Sequence, residues 1–189
     1  LSRLKAMKAD IFIVVAFRML PQEVWSMPKL GTFNLHASLL PQYRGAAPIN
    51  WAVINGETQT GITTFFLDHE IDTGRIIIQK TFAIPDDADV EYVYDGLMAL
   101  GAEACVDTID AIIDGDGHVS SSPQIVAADD ILKPAPKIFK ETCQIDFGKS
   151  ATEVYNFVRG LSPAPGAWGI VLGDNNQTEM KFLLRQSAL

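Results

Sequence analysis

The stretch Asp10-Ile11-Phe12-Ile13-Val14-Val15-Ala16 decides the fold class of this 189-residue chain. An uninterrupted apolar run rich in Ile and Val is typical of a parallel β-strand that is buried on both faces. Lys5-Ala6-Met7, just before it, indicates the end of a helix. Parallel strands are joined by crossover connections that usually contain a helix. The run therefore predicts an α/β fold.

Elements with helical and strand patterns alternate on the C-terminal side of this run. Short apolar segments bounded by Gly and Pro predict strands, and apolar residues that recur at three and four predict helices. The predicted helices are 21–25, 48–54 and 90–113, and the predicted strands are 31–35, 61–67 and 75–84. Seven residues join the last two strands, so we expect an antiparallel pair with Asp72 in its connecting loop.

The composition changes after residue 117 and predicts a division of the chain. Residues 118–137 are rich in Pro, Ser and Asp, which is typical of a linker. A second unit, 138–189, contains a predicted helix that Ser150 and Glu153 start as a capping box, followed by a strand near 169–172. We therefore expect a first domain at 1–117, a linker at 118–137 and a second domain that begins at 138.

Bulk properties exclude several classes of protein. No stretch approaches the roughly 20 apolar residues that span a bilayer. The two cysteines have neither metal-site nor redox spacing, which suits a reducing, cytoplasmic setting. The net charge of −8 argues weakly against nucleic-acid binding over the whole surface. Residues 133–189 hold 7 basic against 5 acidic side chains, so this part is the candidate for phosphate contacts, although a fluctuation in composition explains the excess equally well.

Asn34, His36 and Asp72 form the candidate catalytic group. Asn34 and His36 are two residues apart at the end of a predicted strand, so their side chains share one face. Transfer of an acyl or formyl group to an amine passes through a tetrahedral intermediate and needs donors at the developing oxyanion. An amide and an imidazole supply such donors, and Asp72 can hold a protonated His36 or exchange a proton through water.

Other interpretations of these residues remain open on spacing alone. A histidine at a strand end is more often structural, and Asp72-Thr73-Gly74 would turn the chain without any catalysis. A metal site built from His69 and Asp72 with His36 or His118 is disfavoured, because neither an HExxH pattern nor Cys-rich spacing is present. Arg44 is equally a solvated loop cation or a contact to an anionic substrate.

Several segments closely resemble the folate-dependent formyltransferases. They begin with Phe33-Asn34-Leu35-His36-Ala37-Ser38-Leu39-Leu40-Pro41 and Tyr43-Arg44-Gly45-Ala46-Ala47-Pro48-Ile49. The resemblance continues through 61–63, 67–68 and 71–74 and reaches the segment Arg159-Gly160-Leu161-Ser162-Pro163-Ala164-Pro165-Gly166-Ala167-Trp168. It covers nearly the whole chain.

This resemblance implies a partial Rossmann-like formyltransferase domain, a linker and the start of an OB-like β-barrel domain. It implies a co-substrate, 10-formyltetrahydrofolate, no metal, and, in the branch that matches best, transfer to the α-amino group of initiator methionyl-tRNA. Asn34, His36 and Asp72 match the family's catalytic trio. The residues expected to contact folate are Ser38, Leu39, Leu40, Pro41, Phe17, Met19 and Asp68. Arg44 is expected to contact substrate.

Two departures from the family pattern stand out. Arg18 occupies a position where relatives commonly carry Gly, in the segment expected to wall the pterin pocket. The family's opening strands and most of the C-terminal barrel have no counterpart, so the chain is expected to be a fragment. The glycinamide ribonucleotide branch would not need the second unit. Nucleotide-sugar formyltransferases, formyltetrahydrofolate dehydrogenase and a non-catalytic folate- or tRNA-binding piece remain alternatives.

Overall fold

The computed structural model describes residues 1–16, 19–127, 131–172 and 177–184. Its helices are α1 (Ser2–Met7), α2 (Gln22–Trp25), α3 (Pro48–Ile54), α4 (Val90–Asp114) and α5 (Ala151–Gly160), with a 3-10 turn at Glu141–Cys143. Its strands are β1 (Phe12–Val15), β2 (Thr32–His36), β3 (Gln59–Phe66), β4 (Ile76–Ala83), β5 (Ala167–Leu172) and β6 (Gln177–Phe182).

The first four strands form one mixed sheet in the order β1-β2-β3-β4. β1 and β2 are parallel, whereas β2 pairs with β3 and β3 pairs with β4 in the antiparallel sense. The register places Asn34 opposite Val14 on one side and Phe65 on the other. This sheet confirms the α/β fold class and the antiparallel pair around Asp72.

The prediction that the first strand is buried on both faces is wrong. Ile13 and Val15 of β1 are 43% and 54% exposed. Within the part of the chain that the structure describes, β1 is the edge strand of the sheet, and its Ile13 and Val15 face is open to solvent. An apolar run therefore predicts the strand correctly but not its position in the sheet.

Helix α4 covers β3 and β4 and closes the main core. The Asp89 side chain accepts the backbone N–H of Tyr92 at 2.9 Å and so caps the helix start. Val93, Leu97 and Ala104, at helical spacing, are buried against the sheet. Burial of each such side chain contributes about 1.5–3 kcal/mol for Val or Leu. This packing holds in place the sheet to which β2 and β3 belong.

The segment predicted as a linker packs along the first unit in its described part. Ser122 pairs with Ile76 in an antiparallel bridge, and Ala135 pairs with Gly45 in a parallel one. The indole Nε1–H of Trp51 donates to the carbonyl of Pro136 at 2.8 Å. These contacts bring the segment against the start of β4, the loop that follows β2, and helix α3.

The second unit contains the predicted capped helix, which follows the 3-10 turn. Ser150 and Glu153 form the capping box of α5, and the Asn50 side chain of α3 donates to the carbonyl of Gly160 at 2.8 Å. Arg159 is buried, and its guanidinium donates to the carbonyl of Ala88 at 2.9 Å. β5 and β6 form a two-stranded antiparallel sheet. The start of the C-terminal domain is thus present, and its OB-like barrel stays a prediction.

A search for membrane-spanning helices covers the same described ranges. None of the helices found there combines the length and the apolar character needed to cross a bilayer.

Candidate active site

Asn34, His36 and Asp72 converge on one cleft. Asn34 and His36 lie on the same face of β2, and Asp72 reaches the same place from the loop between β3 and β4. All three line a cleft of about 1130 Å³. The Nδ1 atom of His36 lies 3.9 Å from Oδ2 of Asp72. The structure therefore brings together the three side chains that the sequence predicted as a group.

The imidazole of His36 has a defined orientation. Its side chain is 7% exposed, and Nε2 lies 2.8 Å from the carbonyl oxygen of Tyr43. A carbonyl oxygen only accepts, so Nε2 carries a proton and donates it to Tyr43. Nδ1 is then the nitrogen that faces Asp72. A direct hydrogen bond needs about 3 Å, so the two groups interact through charge or through a bridging atom.

Asp72 is held at both its carboxylate and its backbone carbonyl. Its φ of 56° lies in the left-handed region, which Asp and Asn enter more readily than most residues. The N–H of Gly45 donates to its Oδ2 at 2.9 Å. The side chain of Gln124 donates through Nε2 to the carbonyls of Asp72 at 2.8 Å and Gly74 at 3.0 Å. The orientation of the carboxylate is therefore set by these hydrogen bonds as well as by the backbone conformation of Asp72.

Tyr43 supports the site from behind His36. Its φ of 60° is unusual for an aromatic residue, and its N–H donates to the carbonyl of Lys133 at 2.8 Å. Its hydroxyl donates to Glu57, which also accepts from Lys133. Burial, and then the bond to Glu57, raises the pKa of Tyr43 well above its ordinary value. The phenol therefore stays protonated and holds this corner in place.

Asn34 carries a buried acceptor without a partner. Among the described residues, its Oδ1 atom is one of the two buried side-chain N or O atoms that have no hydrogen-bond partner. An unsatisfied buried polar atom costs about 1–3 kcal/mol. Since Asn34 lines the cleft, a donor on a bound substrate can satisfy this oxygen.

The rest of the lining is mostly apolar and comes from two groups of elements. Met19, Leu20 and Trp25 follow β1, and Trp25 contacts His69 edge-on with ring centroids 5.3 Å apart. Asp68 lines this part, and its Oδ1 accepts from Glu70 N and Thr73 Oγ1. The second group contributes Pro48, Ile49, Tyr94, Met98, Pro163 and Ala164. Phe17, expected beside Met19, lies outside the described residues.

The segment 38–41 lies away from the cleft lining. Ser38 is buried, and its hydroxyl donates to the carbonyl of Gln42 at 2.6 Å. Leu39 packs near Gly61, and the N–H of Leu40 donates to Thr63 Oγ1 at 3.2 Å. Pro41 is likewise not among the lining residues. The structure thus does not bring these four side chains to the trio, and their contact with folate stays a prediction.

Arg44 also points elsewhere. Its Nε and Nη2 atoms donate to Oε1 of Gln124 at 3.1 and 2.6 Å, and it does not line the cleft. Its expected contact with substrate stays a prediction. The described residues hold no group of three or more His, Cys, Asp or Glu side chains placed to share a metal ion.

Gln124 and Tyr43 have site roles that the sequence did not reveal. Gln124 donates to the backbone carbonyls of two other residues, and Tyr43 accepts a hydrogen bond at its own backbone carbonyl. Such bonds leave no pattern of periodicity or spacing in the sequence. Gln124 lies 52 residues from Asp72, inside the Pro-rich segment. Tyr43 belongs to a segment that carries the resemblance, and that was its only signal.

Comparison with known proteins identifies similar sequences over most of the chain. The family model described as formyl transferase matches residues 1–109, and the model described as formyl transferase, C-terminal domain, matches residues 137–185. The methionyl-tRNA formyltransferase of Parabacteroides distasonis is 57% identical over 177 residues, which is 94% of this chain and 55% of that protein. The one from Bacteroides fragilis is 62% identical over 169 residues, covering 89% and 52%. The chain spans about half the length of these relatives.

Solved structures share the fold. HypX from Aquifex aeolicus in complex with tetrahydrofolic acid superposes with a TM-score of 0.72 at 25% identity, over 90% of this chain and 28% of that one. A 4-N formyltransferase from Francisella tularensis gives a TM-score of 0.76 at 22% identity, over 95% and 73%. At that identity the second likeness concerns the fold alone.

Proposed function

The chain belongs to the formyl transferase family, and we propose that it transfers a formyl group from 10-formyltetrahydrofolate to the α-amino group of initiator methionyl-tRNA. The observation that carries this proposal is the convergence of Asn34, His36 and Asp72 in one cleft, where the amide oxygen of Asn34 has no hydrogen-bond partner among the described residues. The identity to proteins named methionyl-tRNA formyltransferase supports this choice of acceptor.

The cleft is large enough for the folate co-substrate. Its volume of about 1130 Å³ exceeds the typical range of about 300–1,000 Å³ for one small-molecule site. When bound, 10-formyltetrahydrofolate supplies an activated formyl group. Met19, Leu20 and Trp25 offer apolar surface for a flat ring system, and Asp68 offers a carboxylate for ring N–H groups. We assign these four residues to the folate end of the cleft.

The trio divides the work of amine attack. Asn34 Oδ1 accepts an N–H of the incoming amine and so orients the nitrogen lone pair. Because Nε2 of His36 is engaged with Tyr43, Nδ1 is the atom that donates toward the oxygen on which negative charge develops. Asp72 balances the charge of a protonated His36 and takes up the amine proton directly or through water. As the bond between the formyl carbon and the folate nitrogen breaks, this proton passes to that nitrogen and tetrahydrofolate leaves.

The second unit is the proposed contact for the tRNA backbone. Its exposed lysines are Lys140, Lys149 and Lys181, and Lys140 is paired with Glu179 at 3.1 Å. Residues 133–189 hold 7 basic against 5 acidic side chains, an excess of positive charge in an acidic chain. Lysine side chains bind phosphates as mobile point charges and make affinity fall with salt. A tRNA acceptor also implies the cytoplasm as the site of action.

The test is mass detection of formylated product with three acceptors. The chain is mixed with 10-formyltetrahydrofolate and methionyl-tRNA, glycinamide ribonucleotide or a nucleotide-linked amino sugar. We expect formylation of methionyl-tRNA only, lost in His36→Ala and retained in His118→Ala, because His118 is exposed and lies outside the cleft.

Product on the sugar alone would reassign the acceptor. Folate binding that His36→Ala leaves unchanged, with no product on any acceptor, would make the chain a folate-binding piece without transfer. Either outcome overturns the proposal.

A further inference from the structure

The side chain of Gln124 joins the two loops that position His36 and Asp72. Its Nε2 donates to the carbonyls of Asp72 and Gly74 at 2.8 and 3.0 Å, and its Oε1 accepts two bonds from Arg44. A primary amide offers two N–H donors and one carbonyl acceptor. Gln124 thus uses all of them, and each contact falls on the β3–β4 loop or on the loop after β2.

Residues 43–45, in the loop after β2, form hydrogen bonds with both His36 and Asp72. The carbonyl of Tyr43 accepts from His36 Nε2 at 2.8 Å, and the N–H of Gly45 donates to Asp72 Oδ2 at 2.9 Å. The residue between them, Arg44, is the one that Gln124 holds. A shift of this loop would therefore move the imidazole and the carboxylate together.

The backbone of these loops does not hold its shape by itself. Tyr43 and Asp72 have φ values of 60° and 56°, and conformations of this kind cost of order 1–3 kcal/mol unless neighbouring contacts enforce them. Tyr43 is enforced by Lys133 and Glu57, and Gly45 by the bridge to Ala135. For Asp72, the backbone carbonyl is held by Gln124.

We propose that Gln124 is a positioning residue for the transfer reaction, which sets the Asp72 carboxylate against Nδ1 of His36. The side chain does not belong to the cleft lining. It acts through the carbonyl of Asp72 and through Arg44. The catalytic consequence rests on the proposed function, whereas the geometric part does not.

The first measurement reports geometry without any turnover. Hydrogen exchange of the Gly45 amide is followed by NMR in the parent chain and in two variants, Gln124→Glu and Gln124→Met. Glutamate keeps the acceptor for Arg44 but loses both donated bonds, and methionine keeps the length and loses every bond. Ile125→Ala is the matched control, because this neighbour is 78% exposed. We expect Gly45 to exchange about tenfold faster in both Gln124 variants and unchanged in the control, with α4 amides unaffected.

The second measurement is a double-mutant cycle in formyl transfer. We expect Gln124→Met to lower kcat about 10- to 100-fold with both KM values within twofold, and to cost less than about threefold in an Asp72→Asn background. A residue that merely stabilises the fold would cost the same in both backgrounds. Unchanged Gly45 exchange, or additive losses, overturns the inference. A parent chain without transfer activity overturns the proposed function, and Gly45 exchange then still decides whether Gln124 positions Asp72.

Discussion

Replacement of Asp72 by Asn tests how the carboxylate assists His36. In the step in which His36 carries a proton, the two charges are 3.9 Å apart. Unit charges at this distance attract by about 1 kcal/mol in bulk water and about 4 kcal/mol at an effective dielectric constant near 20. The side chains are only 7% and 12% exposed, which favours the upper half of that range. At about 1.4 kcal/mol for each factor of ten, we expect Asp72→Asn to lower the transfer rate about 10²- to 10³-fold.

The substitution isolates charge from shape. Asn enters the left-handed region as readily as Asp, and its side-chain oxygen can still accept the N–H of Gly45. Stability should change by less than about 1 kcal/mol, because Asn keeps both the backbone conformation and the acceptor for the N–H of Gly45. Asp116→Asn is the matched control, because Asp116 has a φ of 51° and is exposed far along the chain from the trio. The assay is single-turnover formylation at saturating donor, and a rate within threefold of the parent would refute the electrostatic argument.

Three further changes have distinct expected outcomes. Asn34→Leu should leave stability in urea unchanged or raise it by about 1 kcal/mol, because a buried oxygen without a partner among the described residues is removed. The same change should lower the transfer rate about 10²-fold or more. Destabilisation would show that Oδ1 is satisfied in the free protein. Burial acts to raise the pKa of Glu57, but bonds from Lys133 and Tyr43 outweigh it and lower the pKa. Glu57→Gln should therefore lose a stabilisation that is full above the ordinary pKa of 4.5 and disappears as pH falls below it; a difference independent of pH by urea unfolding would contradict this. Gly61→Ala should cost about 1–3 kcal/mol in urea unfolding, because a Cβ there would overlap the carbonyl of Lys80, and an equally stable variant would contradict the packing.

The helices and the β3–β4 pair were predictable because their signals are local. Helix α3 begins at Pro48 and ends at Ile54 as predicted, and α4 extends the predicted 90–113 by one residue. The capping box at Ser150 depends on residues three apart, so it too is visible in the sequence. The exposure of β1 could not be predicted. Strand order is a property of the whole sheet, and an apolar run has the same sequence pattern at the centre of a sheet as at its edge.

Sequence and topology together predicted the trio of Asn34, His36 and Asp72, whereas the residues that hold the trio in place were not predicted. Asn34 and His36 are two residues apart on one strand, and Asp72 lies in the loop that two recognisable strands define, so topology alone brings them near one another. The segment 38–41 was expected at folate through resemblance only. In the structure the Ser38 hydroxyl and the Leu40 N–H bond to Gln42 and Thr63, and the contact with folate stays a prediction. A resemblance transfers a role to a position, but the direction of a side chain depends on its contacts.

The boundary of the matched family segment is not the boundary of the working site. The formyl transferase match ends at residue 109, whereas Gln124, Lys133 and Ala135 supply bonds that hold the loops of His36 and Asp72. Catalytic groups need to be held to within about 0.5 Å of productive geometry by the residues around them. On the proposed function, residues 34–72 carry the chemistry, and a Pro-rich segment that composition alone would describe as a spacer holds these residues in position. In this protein the segment between the two units is therefore part of the structure of the candidate site.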